Sequence, residues 1–232
     1  MNRKLFIRAL KDTFPVFAGY IVLGIGFGIL LDSIGYGVQW AFFMSFFIYA
    51  GSMQYMAVSL ITAGASLPVF ALTTLMVNAR HLFYGISMVE KYRGTGFGKP
   101  YLIFALTDET YSLVCADING VEEKDLPQYY FLVSLFDHIY WTGGSVMGSL
   151  IGSLIAFDTT GIDFALTALF ITVLTDQLLK KENRIPGIIG IAVSVMCLLI
   201  FGADSFLIPA MLGITGALLI MRAVKKEVPV NG

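Results

Sequence analysis

"FPVFAGYIVLGIGFGILL", residues 14–31, decides the fold class. It runs 18 residues without a charged side chain. A helix of that length rises about 27 Å, close to the hydrocarbon thickness of a bilayer. The rest of the chain repeats the pattern. Hydrophobic residues make up 57% and charged residues 13% of the 232, and mean hydropathy is +0.79. Soluble domains carry charge at about a quarter of their positions. An open chain in lipid must satisfy its own backbone groups, so every spanning segment should be helical. The expectation is an all-α polytopic membrane protein, one transmembrane domain over residues 1–232, with little mass outside the bilayer.

Outward from that stretch, eight apolar segments can be drawn, at about 14–31, 39–63, 67–89, 101–116, 129–156, 162–179, 187–203 and 205–222. The leading "MNRKLFIRALKDTF" is basic and has no small-residue cleavage site after a short apolar core, which argues against a cleaved signal. Phe6, Ala9, Leu10 and Phe14 share one helical face, with Lys4, Arg8 and Lys11 on another, as in a short interfacial helix. Cys115 and Cys197 sit in apolar segments without metal-ligand neighbours, so neither a disulfide framework nor a metal site is expected. The net charge of −1 says nothing about nucleic acid, but there is no basic domain to bind it, and none is expected as a partner. No cofactor motif is present.

Loop charge sets the expected topology. Residues 1–11, "EKYRGTGFGKP" (90–100), "KKENR" (180–184) and the tail with Arg222, Lys225 and Lys226 are basic. Such regions face the cytoplasm, placing both termini inside. "DINGVEEKDLP" (117–127) is acidic and is expected outside. Eight full crossings cannot satisfy these placements, because one segment in each half is surplus. The simplest repair lets 39–63 and 162–179 enter and return to the same side. A weak repeat between about 14–116 and 129–222 supports this: Gly19, Gly24, Gly28, Leu30, Gly37, Ala41 and Phe46 match Gly143, Gly148, Gly152, Leu154, Gly161, Ala165 and Phe170, each 124 positions on. Six crossings would then divide three and three as an inverted repeat, with one re-entrant or broken segment per half. Seven or eight plain spans is the alternative.

The residues that are expensive in lipid identify a candidate pathway. "LMVNARHLFYGIS" (75–87) places Asn78, Arg80 and His81 in mid-segment. A central arginine costs about 2.5–3.5 kcal/mol even on the mild insertion scale, so it should face the interior and hold a counter-charge. Asp108 and Glu109 of "LTDETYSL" and Asp137 of "FDHIYW", beside His138, are the available acids, with Arg80–Asp108 or Arg80–Asp137 as the expected pair. Asp176 and Gln177 lie near the basic "KK" and read as surface groups. "YAGSMQY" (49–55), with Gly51, Ser52 and Gln54, suits a break whose free backbone groups could bind a solute. Small-residue helix packing is the competing reading there, and it is the favoured one for the glycines of the first span.

"FPVFAGYIVLGIGFGILL", "YAGSMQY", "VNARHLFYGIS" and "LTDETYSL", in that order and spacing, resemble the azaleucine-resistance (AzlC-type) permeases over about residues 14–180. This resemblance implies the large subunit of a two-component exporter of leucine, isoleucine or valine, with methionine a further candidate. It also implies a small multi-span partner (AzlD-type) in the inner membrane. A homo-oligomer is compatible with it. The chain lacks a Walker A motif, so coupling is expected to the proton gradient or membrane potential. In that frame the 50–54 break and Asn78 would contact the solute, Asp108 would meet its ammonium group or exchange a proton with His81, and Arg80 would steady the acids. An ion or proton channel, and a structural subunit whose partner carries the path, are the rival readings. Without a G-x-G-D or G-x-S-x-G motif, no enzyme activity is expected.

Overall fold

The computed structural model describes residues 3–115, 118, 120–154, 161, 164–179, 181, 184–202 and 206–227. Helix is the only extended regular structure among them, as an apolar chain that must pair its own N–H and C=O groups requires. The chain divides into two compact units, Met1–Leu166 and Thr167–Gly232.

The first unit contains α1 (Arg3–Asp12), α2 (Phe14–Ser33), α3 (Val38–Phe43) continuing as a π-helical turn (Met44–Ile48), and α4 (Gly51–Thr62). Then follow α5 (Leu67–Asn78), α6 (Arg80–Met88), α7 (Lys99–Phe104), α8 (Asp108–Val114) and α9 (Leu126–Leu154). Its spine is the pair α2 and α9, packed through small residues. A Cβ at Gly24 would lie 2.9 Å from the Ser145 nitrogen, and one at Gly144 would lie 2.9 Å from the Tyr20 carbonyl oxygen. At Gly28 and Gly148 the neighbouring backbone (Ser145 and Ser149, and Ile25, respectively) leaves no room for a Cβ. Small residues let two backbones approach this closely.

The order of these contacts corrects the expected topology. Asp12 meets Tyr129, Tyr20 meets Trp141, Gly28 meets Ser149 and Asp32 meets Gly152. Both numbers rise together, so the repeat-matched helices α2 and α9 run in the same direction. An inverted repeat that pairs them would need opposite directions. The acidic stretch is corrected with it. Ile118, Val121 and Leu126 pack on the core that holds Leu5 and Ala9 of α1, so this loop shares an end of the unit with the basic N-terminus. Its acids carry little topological information, because orientation follows Lys and Arg rather than net charge.

Two helical hairpins fold back from opposite ends of that spine. The first is α3 to α4. Phe46 stacks on His138 at 5.0 Å, the chain turns at Tyr49 (φ 49°), and α4 returns with the Tyr55 hydroxyl donating to the Leu23 carbonyl at 2.6 Å. Val58 then packs with Leu30 and Leu31. The second is α7 to α8. Tyr101 meets Phe131 at 5.3 Å, Ala105 reaches the core of Tyr20 and Trp141, and Val114 returns to the core of Tyr129 and Val133. The second hairpin is therefore the fourth apolar segment, and not 162–179, the segment that loop charge selects. Between the hairpins, α5 and α6 cross from one end to the other, with Tyr92 reaching Tyr130 at 5.6 Å. A crossing followed by a hairpin from the far end thus occurs twice, in opposite senses.

The α1 helix also departs from expectation. It buries Leu5 and Ala9, and Phe6 meets Phe136 at 5.1 Å, while Leu10 and Phe14 are exposed. It is a packed strut against α9 more than a free interfacial helix.

The helix α10 (Phe164–Leu179) is unbroken and lies in the second unit from Thr167 on. The unit continues with α11 (Arg184–Phe201) and α12 (Leu207–Glu227). Leu178 packs on Gly187, and Val193 on Gly213. The side chains of Asp176 and Gln177 lie outside the described residues. Two described helices, α2 and α11, are by length and apolarity alone able to cross a bilayer. The α5–α6 crossing escapes that criterion because a break divides it.

Candidate functional site

Three breaks converge in the first unit: Tyr49–Ala50 between α3 and α4, Ala79 between α5 and α6, and Ala105–Thr107 between α7 and α8. Each has a local cause. Tyr49 adopts a left-handed conformation that ends the π turn. Thr107 is extended and caps α8, its Oγ1 accepting from the Thr110 N–H at 3.2 Å, the usual way a threonine starts a helix. Ala79 stays near helical, but the hydrogen bonds on either side tighten to Ala79 N–H to Met76 carbonyl and Leu82 N–H to Ala79 carbonyl. Asn78, Arg80 and His81 therefore flank a break and do not lie within one continuous helix.

Arg80 joins the tips. Its Nη2 donates to Ser52 Oγ at 2.6 Å, in the first turn of α4, and its Nη1 pairs with Asp108, the first residue of α8. Of the two pairings offered by the sequence, Arg80–Asp108 is the one the structure forms. Glu109 instead accepts from the Tyr20 hydroxyl at 2.7 Å. Asp137 is fully buried and accepts from Thr110 Oγ1 at 2.7 Å.

His138 is held between the two hairpins. Its Nε2 lies 3.0 Å from the Phe46 carbonyl and its Nδ1 3.2 Å from the Tyr101 hydroxyl, with the Tyr49 ring centroid 4.4 Å away. A carbonyl can only accept, so Nε2 carries the hydrogen, and in the neutral ring Nδ1 accepts from Tyr101. Beside it lies a largely apolar cavity of about 380 Å³, lined by Phe42, Phe46, Leu135, His138, Ile139, Thr142, Gly143 and Val146.

The other sequence candidates fall differently. Gln54 is buried with both ends of its amide engaged: Trp141 Nε1 donates to its Oε1 at 2.9 Å, and its Nε2 donates to Ser45 Oγ at 3.0 Å. Gly51 lies against the Trp141 indole, which a Cβ would approach to 3.0 Å. His81 Nδ1 lies 3.1 Å from the Asn78 carbonyl across the Ala79 break and its ring faces Tyr84, so it is directed at these neighbours in the chain and not at Asp108. The Asn78 side-chain oxygen is buried without a hydrogen-bond partner. Among the described residues no cluster of histidine, cysteine and acidic groups suits a metal ion.

Sequence reasoning misses Tyr20, Thr110, Tyr101 and Trp141, which bond to Glu109, Asp137, His138 and Gln54 respectively, and Thr107, which bonds to Tyr20 and Thr110. Their types are ordinary in apolar segments and carry no charge. Only Thr107 is marked, by the T-D-E run.

The AzlC protein family model matches residues 15–155. The branched-chain amino acid transport protein AzlC of Bacillus subtilis (strain 168) is 43% identical over 227 residues, covering 97% of this chain and 89% of that protein. An uncharacterized membrane protein of Helicobacter pylori (strain J99) is 42% identical over 94% of this chain and 96% of its own length. The inner membrane protein YgaZ of Escherichia coli (strain K12) is 26% identical over 77% of this chain and 75% of its own. No solved structure matches the chain. All three breaks and every tip residue fall within the matched span, and the chain belongs to the AzlC family.

Proposed function

We propose that this chain is the large subunit of a branched-chain amino acid exporter of the cytoplasmic membrane, acting with a small multi-span partner. The observation that carries the reading is Arg80 joining two opposed hairpin tips, in a chain whose relative from Bacillus subtilis is named for branched-chain amino acid transport. Six crossings, by α2, α5–α6, α9, α10, α11 and α12, with two hairpins that return, put all four basic regions and both termini on the cytoplasmic side. The acidic loop lies on that side too.

A branched-chain amino acid is a zwitterion with an apolar tail. Broken helices leave N–H and C=O groups free near the middle of the protein, where they can meet both charges. Asn78, with its unengaged side-chain oxygen, and Asp108 face the ammonium group. Ser52 and the Arg80 guanidinium face the carboxylate when the hairpin tips part. The largely apolar cavity beside His138, about 380 Å³, has ample room for a branched aliphatic side chain. One methylene in such a pocket is worth about 1–3 kcal/mol, so discrimination among leucine, isoleucine and valine is loose.

The test is efflux of labelled leucine from cells expressing this chain with its partner, against cells lacking it. Faster loss of leucine, isoleucine and valine, with no change for alanine or lysine, is the expected result. Electrical current without any amino acid would instead favour a channel.

A further inference from the structure

Between the second hairpin and the spine runs a line of short oxygen–oxygen contacts. Glu109 Oε2 lies 2.7 Å from the Tyr20 hydroxyl, which lies 2.7 Å from Thr107 Oγ1. Thr107 Oγ1 lies 3.1 Å from Thr110 Oγ1, which lies 2.7 Å from Asp137 Oδ2. Tyr20, Thr110 and Asp137 are buried. Three hydroxyls thus connect two carboxyl groups carried on α8 and α9.

The hydrogens do not balance unless an acid supplies one. Four contacts need four hydrogens, and each hydroxyl brings one. With both acids ionised, the three hydroxyls can serve only three of the four contacts, and one of them, at best the 3.1 Å Thr107–Thr110 contact, is left without a hydrogen. The line is complete only when Glu109 or Asp137, and not both, is protonated. Thr107 donates to Thr110 and Thr110 to Asp137, the arrangement with the acid hydrogen on Glu109; the other arrangement reverses every hydroxyl, and Thr107 keeps the Thr110 N–H as a further donor in either.

We propose that Glu109 and Asp137 share one acid proton through Tyr20, Thr107 and Thr110, and that its passage between them couples solute export to the proton gradient. The coupling half rests on the transport reading above. When the proton leaves Glu109, its O–H bond breaks as one forms on Tyr20. Tyr20 passes its own hydrogen to Thr107, Thr107 to Thr110, and Thr110 to Asp137. Four O–H bonds break and four form, and the negative charge moves from Asp137 to Glu109. On α6 and α8, Arg80 pairs with Asp108 beside Glu109. On the first hairpin and α7, Tyr49 and Tyr101 lie within electrostatic range of Asp137, as does Tyr129 of α9 itself. His138 follows Asp137 in α9 and is turned to Phe46 and Tyr101. No lysine, arginine or histidine of the described residues forms an ion pair with Asp137, so no fixed cation there holds it ionised.

Two measurements on the full chain test this. Infrared spectra near neutral pH should contain a buried carboxylic acid band that is lost in both Glu109→Gln and Asp137→Asn, because either amide supplies the fourth hydrogen and leaves the other acid ionised. A band that persists at wild-type intensity in either variant overturns the shared proton. In membrane vesicles that hold the chain together with its small partner, Tyr20→Phe and Thr110→Val should lower leucine efflux driven by a pH gradient about tenfold or more, while leucine–leucine exchange without a gradient stays within about twofold. Gradient-driven efflux at the wild-type rate in both variants overturns the relay. If the wild type moves no leucine in either assay, the transport reading fails, and the infrared result still decides the shared proton.

Discussion

Arg80 and Ser52, 28 positions apart, meet at 2.6 Å, while the same guanidinium pairs with Asp108. One planar group therefore ties together hairpin tips that enter from opposite ends. A guanidinium has five donors in a fixed fork; an ammonium is a point charge and cannot hold two partners in the same geometry. Arg80→Lys should leave the protein folded but cut leucine efflux by an order of magnitude or more. Arg80→Ala leaves Asp108 without its charge partner and should lower stability by about 1–3 kcal/mol, the penalty for stranding a half-buried polar group. Thermal unfolding in detergent and efflux from cells check the two. Full efflux by Arg80→Lys would show that the fork is not needed.

The α2–α9 seam makes a sharper claim about glycine. At Gly28 and Gly148 an added methyl would run into backbone of the facing helix, which cannot rotate away. Gly28→Ala and Gly148→Ala should each lose about 1–3 kcal/mol or more. Gly19 and Gly143 lie in the same two helices, with nothing within 4 Å of the place an alanine methyl would take. There alanine should be neutral or stabilise by about 0.5–1 kcal/mol, through helix propensity. Equal destabilisation at all four positions would mean that the seam is not where the helices touch.

Much of this is legible in the residues, and what is not has a common cause. Uninterrupted apolar runs such as 14–31 announce helices in lipid, and "YAGSMQY" announces a break because glycine and serine there sit beside a polar amide. The Arg80–Asp108 pair follows from the expense of an unpaired arginine. Direction does not follow from glycine spacing. The matches between α2 and α9 reflect that two helices in close contact both need small residues at similar intervals, a requirement that parallel neighbours meet as well as inverted ones. The acidic loop misleads for a related reason: four acids look like a signal, but lysine and arginine set topology. The break at Ala79 has no glycine or proline to mark it, and the relay through Tyr20 and Thr110 uses residue types too common to notice.

Gln54 illustrates how a polar residue in mid-segment can serve the fold. Its amide joins Trp141 of α9 to Ser45 of the π turn and is fully buried. Gln54→Leu strands the indole N–H and the serine hydroxyl, and should lower stability by about 1–3 kcal/mol. The double variant Gln54→Leu with Trp141→Phe removes the stranded indole N–H as well. It should recover part of the loss, seen as a melting temperature above that of Gln54→Leu alone. A double variant no more stable than the single one would mean that the indole–amide bond contributes little.

Topology gives the most direct test of the fold. Ser33 and Ser66 flank the first hairpin, and Arg93 and Glu122 flank the second; all four are exposed. With Cys115 and Cys197 replaced by alanine, single cysteines at these positions report sidedness to a membrane-impermeant maleimide. Ser33→Cys and Ser66→Cys should label together from outside intact cells. Arg93→Cys and Glu122→Cys should label only after the membrane is opened. The informative site is Glu122, because loop charge read as net charge puts it outside and the parallel run of α2 and α9 puts it with the N-terminus. Labelling of Glu122→Cys from outside would break the hairpin of α7 and α8, since that segment would then have to cross.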